Sequence, residues 1–124
     1  MKKDEPRTSN KNFIDAFANA LNGIGYAIKT QRNIKIQLIV SIIVTIAGIF
    51  FHFTATEFML LTFSCSLVLL TEMINTAIES AVNLNTTEYH PIAKIAKDVG
   101  AGSVVVASLN EIIIGCILYL GKIF

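Results

Sequence analysis

Three long apolar runs decide what this chain can become. Residues 36–51, 58–76 and 99–120 each approach or reach the roughly 20 residues that a helix needs to cross the hydrocarbon of a bilayer. Backbone amides inside lipid find no water to bond, so runs of this kind fold as helices that satisfy their own hydrogen bonds. With 124 residues, 53% of them apolar, the chain holds these spans and little else. An ordinary soluble domain is excluded, and a single all-α integral-membrane unit is expected.

Residues 1–12 read as a polar tail. Phe13, Phe17, Leu21, Ile24 and Ile28 then recur at helical spacing with Asp15, Asn19 and Asn22 between them. This pattern predicts an amphipathic helix over 13–31 lying in the membrane interface. Gly23-Ile24-Gly25 before Lys29 completes neither a Walker pattern nor GxGxxG, and no strand precedes it, so a phosphate loop is not expected there. Helices carrying the spans are expected over 34–51, 57–84 and 92–122. Thr56 is the expected N-cap of the second, Glu57 suits the positive end of its dipole, and Pro91 fits the first turn of the third. The charged segment 1–35 lacks the pattern of a removable leader. Cys65 and Cys116, each inside an apolar run, suit neither a disulfide framework nor a zinc site.

Lys2, Lys3, Arg7, Lys11, Lys29, Arg32 and Lys35 place seven of the ten basic residues ahead of the first span. They are spread out and partly matched by Asp4, Glu5 and Asp15, so they signal orientation and not a nucleic-acid partner. With Lys94 and Lys97 in the second loop, they put the amino terminus and that loop in the cytoplasm, and the turn at His52 and the carboxyl terminus outside.

That orientation brings polar groups to one level. At about 100° per residue, Glu72, Asn75, Glu79 and Asn83 share an arc of roughly 80° on one helix face. The second helix runs inward, so these residues reach the cytoplasmic boundary beside Lys97 and Asp98, and beside residues 31–33 ahead of the first span. One reading is a set of interface side chains that snorkel or pair with Lys97. The other is a site: hard cations such as Mg²⁺ take oxygen ligands and bring phosphate, a carboxylate can act as general base, and a lysine binds phosphate as a point charge. Such a set suits ATP and a lipid hydroxyl meeting at the interface.

The motifs Glu72-Met73-Ile74-Asn75-Thr76-Ala77-Ile78-Glu79, Thr87-Glu88-Tyr89-His90-Pro91 and Ala93-Lys94-Ile95-Ala96-Lys97-Asp98-Val99-Gly100-Ala101-Gly102 closely resemble the bacterial diacylglycerol kinase and undecaprenol kinase family. The resemblance extends more loosely from Phe13 to Leu120. It implies a homotrimer in the bacterial cytoplasmic membrane, each subunit with three spans and a surface helix, with sites between subunits on the cytoplasmic side. It implies transfer of the ATP γ-phosphate to a lipid alcohol, undecaprenol by the wording of the motifs and otherwise diacylglycerol. Carried over by position, Glu72 is the general base and Glu79 a ligand of the ATP-bound Mg²⁺. Asn75 holds the base or the phosphate, and Lys97 and Asp98 contact the nucleotide.

Two positions depart from the family pattern. Gln31 stands where the family usually has a second metal-binding glutamate, offering a carbonyl oxygen without charge, and Asn83 stands where some members have aspartate. Weaker Mg²⁺ binding is the expected result. Asn110 and Glu111 lie mid-span, where a structural role is expected. The rival reading is a non-catalytic membrane protein, either a relative with impaired metal binding or a small transporter using Glu111. His90 is expected to shape the turn, His52 to sit at the far interface, and Gly100-Ala101-Gly102-Ser103 to allow close helix approach.

Overall fold

The structure, a computed structural model, describes residues 12–124, so nearly all of the polar tail, with Lys2, Lys3, Arg7 and Lys11, lies outside the described residues. Four helices follow in order: α1 (Phe13–Thr30), α2 (Arg32–Phe50), α3 (Ala55–Asn85) and α4 (Pro91–Ile123). The last three are long and apolar enough to span a membrane. The protein is all-α and multi-pass.

The helix boundaries follow from local chemistry. Asn12 caps α1 by accepting a hydrogen bond from the Asp15 amide at 3.0 Å. Gln31 alone adopts an extended backbone between α1 and α2. That single break lets α1 leave the direction of α2, while Ala27 and Ile34 on its two sides become buried. Most of the apolar face of α1, including Phe13 and Phe17, stays exposed, as suits a helix lying in an interface.

The cap of α3 is Thr54, not Thr56. His52, at φ 58°, takes the left-handed conformation that ends α2, with Phe53 N–H bonded to Gly48 O at 3.0 Å. Thr54 is then extended and reciprocates with Glu57: its hydroxyl accepts from the Glu57 amide at 3.2 Å, and the Glu57 carboxylate accepts from the Thr54 amide at 2.8 Å. A capping box places the acid three positions after the cap, a spacing to Glu57 that Thr54 has and Thr56 lacks. His90 caps α4 through Nδ1, which accepts from the Ile92 amide at 3.1 Å, and Pro91 follows at the first helical position.

Packing is densest between α3 and α4, with α2 against α3 and the end of α1 against both α2 and α3. Phe53, Leu61, Cys65 and Leu118 form a core at the end away from α1, closed by Phe58 and Tyr119. Gly48 admits these rings, since a β-carbon there would stand 3.0 Å from both Phe53 and Phe58. Lys122 seals the same end by pairing with Glu57 at 3.0 Å. Elsewhere the spans leave Ile42, Ile46, Phe63, Val106 and Ile113 exposed. In water such a surface would be untenable; in a bilayer it meets lipid or neighbouring helices.

Candidate active site

Short connections make α3 antiparallel to α2 and α4, so the start of α2, the end of α3 and the start of α4 share one end of the molecule. The polar face of α3 lies there. Glu72 is buried at 7% exposure, and its carboxylate interacts with the Asn33 side chain and with the negative charge of Glu79. One turn on, the Thr76 hydroxyl donates to the Glu72 carbonyl at 2.9 Å and is thereby occupied by its own helix. Glu79 is half-buried. Burial without a cation is costly for a carboxylate, and the ion pairs among the described residues, Lys94–Asp98 and Lys122–Glu57, include neither Glu72 nor Glu79.

Asn75 is packed against α4. Its Oδ1 is buried and without a hydrogen-bond partner among the described residues, and a β-carbon at Gly100 would come within 2.4 Å of it. Gly102 faces open space, so within the glycine-rich stretch it is Gly100 that admits the close approach. An amide oxygen left bare beside two acids is a ready acceptor or ligand.

Lys97 and Asp98, on the turn of α4 before Gly100, line a cavity of about 360 Å³ under the α3–α4 connection, together with Asn83, Lys94, Tyr89 and His90. Lys94 takes Asp98 as its partner at 2.6 Å on the exposed side; Lys97 enters neither ion pair. Glu72, Asn75 and Glu79 do not line this cavity. The structure therefore divides the sequence-selected residues into an acid and amide face on α3 and a mixed-charge cavity beside it, joined where Asn75 meets Gly100. Gln31 is half-buried at the α1–α2 break, and its amide donates to the Thr30 hydroxyl at 3.4 Å.

Among the described residues, no three His, Cys, Asp or Glu side chains converge as a preformed metal cage. The donors present nevertheless fit Mg²⁺, which takes oxygen from one or two carboxylates and leaves the remaining positions to water and phosphate. Two mutually repelling acids and a bare amide oxygen supply that chemistry.

Two contacts involve residues that the motifs do not mark. Asn33 acts on the electrostatics of Glu72, and one turn deeper in α2 the Gln37 amide donates to Glu111 at 2.5 Å and to the Ser41 hydroxyl at 3.3 Å. Asn33, Gln37 and Ser41 recur every fourth residue through an apolar run. That stripe is the signal that could have found them.

Compared with known proteins, residues 18–119 match the prokaryotic diacylglycerol kinase family. A diacylglycerol kinase of Synechocystis is 38% identical over 86% of this chain, which spans 62% of that relative's length. An undecaprenol kinase of Bacillus subtilis is 32% identical over 99% of this chain and 100% of its own. A diacylglycerol kinase of Escherichia coli is 41% identical over 48% of each.

Proposed function

This chain belongs to the prokaryotic diacylglycerol kinase family of membrane lipid kinases, and on that premise we propose that it transfers the γ-phosphate of Mg·ATP to undecaprenol at the cytoplasmic face of the membrane. The observation that carries this reading is that one face of α3 holds both a buried carboxylate, Glu72, and the bare, buried amide oxygen of Asn75. The choice of undecaprenol over diacylglycerol is supported by the end-to-end match to an undecaprenol kinase.

Glu72 accepts the proton of the lipid hydroxyl as its oxygen attacks the γ-phosphorus and the bond to the β-phosphate oxygen breaks, releasing ADP. Asn33 orients the Glu72 carboxylate. Asn75 holds the phosphate or the base from a position fixed by Gly100. Glu79, with a carbonyl contribution from Gln31, would hold Mg²⁺, which supplies neutralisation of phosphate charge when bound. Lys97 draws the phosphates into the cavity beside the α3 face, and Asp98 contacts the nucleotide while steadying Lys94. Positioning and charge neutralisation suffice for this chemistry, which needs no covalent intermediate.

The exposed apolar faces of the spans, and the exposed amide of Asn110 within α4, support assembly as a homotrimer. The Lys29, Arg32, Lys35, Lys94 and Lys97 set at the α1 end supports a cytoplasmic location for that end. The test is phosphorylation by purified protein in bilayers, with labelled Mg·ATP and either undecaprenol or diacylglycerol. Undecaprenol is expected to be the faster substrate. Faster diacylglycerol turnover would reverse the lipid choice, and folded protein that phosphorylates neither would remove the kinase reading.

A further inference from the structure

Mid-span, α2 and α4 are not packed backbone to backbone. Two side-chain hydrogen bonds hold them instead: Gln37 to Glu111, and the Tyr119 hydroxyl to the Val44 carbonyl. Between these ties lies a crevice of about 410 Å³, lined by Val40, Val44, Leu61, Gly115 and Tyr119, with Glu111 as the charged residue in its wall. A β-carbon at Gly115, one turn from Glu111, would meet nothing within 4 Å, so the space continues along α4.

An acid in a hydrocarbon wall is costly unless something pairs with it. Gln37 gives Glu111 a hydrogen bond but no charge, and neither ion pair among the described residues reaches it. The kinase reading does not use this group. A ligand that complements the crevice must bring a cation on an apolar body: an alcohol lacks the charge, and a phosphorylated lipid carries the wrong sign.

We propose that the crevice between α2 and α4 is a binding site for a single-chain amphiphilic amine, its ammonium group against Glu111 and its alkyl chain along Val40, Val44 and Leu61. The ammonium donates charge-assisted hydrogen bonds to the carboxylate inside a low-dielectric wall, where such pairs are strongest. The chain replaces lipid in the groove. This site is independent of phosphoryl transfer.

The test uses the full chain in zwitterionic lipid nanodiscs, examined by native mass spectrometry with dodecylamine or dodecanol at equal concentration. Dodecylamine is expected to bind at one molecule per chain, with dodecanol about ten-fold weaker or more. Glu111→Gln keeps a hydrogen-bonding side chain of the same shape and should weaken the amine about ten-fold. Gly115→Leu keeps the carboxylate, fills the groove and should also weaken it. If Glu111→Gln does not fold, Gly115→Leu and the alcohol comparison carry the test. Equal binding of amine and alcohol, or undiminished amine binding to either folded variant, would overturn the proposal.

Discussion

Asn75 Oδ1 stands 2.4 Å from the place a β-carbon would occupy at position 100, so this buried oxygen owes its position to the glycine opposite it. Gly100→Ala must push the Asn75 side chain aside. Displacements near 1 Å in a phosphoryl-transfer site cost about 10²-fold in rate, and a loss of that order in kcat is expected with helix content retained. Gly102→Ala, where the added carbon meets nothing, is the control and should leave kcat unchanged. Steady-state kinetics on the two variants in bilayers checks this.

Gln31→Glu adds a carboxylate at the α1–α2 break. If this position faces the metal, the Mg²⁺ concentration giving half-maximal activity should fall several-fold at fixed ATP. An unchanged Mg²⁺ requirement would remove Gln31 from the proposed ligand set.

The Gln37–Glu111 bond should reveal itself through an asymmetry. Gln37→Leu strands a carboxylate between helices and should destabilise the protein by about 1–2 kcal/mol. Adding Glu111→Leu removes the stranded group and should restore much of the loss, giving a favourable coupling in the double-mutant cycle. Reversible unfolding in mixed micelles measures both.

His52 holds a left-handed backbone with a β-carbon in place, a conformation that favours glycine. His52→Gly should relieve strain of about 1 kcal/mol and raise the unfolding midpoint. His52→Val, β-branched at the same position, should lower it.

The spans and the polar face of α3 were legible because they rest on local periodicity: apolar runs of membrane length, and carboxylates recurring on one side of a helix. Thr54 was legible in principle, since its spacing to Glu57 is that of a capping box, but the left-handed turn at His52 that frees Thr54 to cap is hard to foresee without a glycine there. Contacts between distant segments were not legible. Orientation alone brings residues 31–33 to the level of Glu72, but that Gln37 meets Glu111 depends on how α2 is rotated about its own axis, which an almost uniformly apolar helix does not announce. Lys97 is a different case. It shares the lining of one cavity with Asp98, while the ion pair that Asp98 makes goes to Lys94, four residues back and one helical turn away, a partner that adjacency in sequence does not single out.

If Glu72 takes the lipid proton, its replacement by an amide must show in kcat, measured for Glu72→Gln against the unaltered protein. The amide can keep the hydrogen-bonding shape beside Asn33 but is not a useful base. A fall in kcat of at least about 10²-fold is expected, with KM for Mg·ATP within about two-fold of the original. A Glu72→Gln enzyme that turns over within a few-fold of the original, with its fold intact, would contradict it.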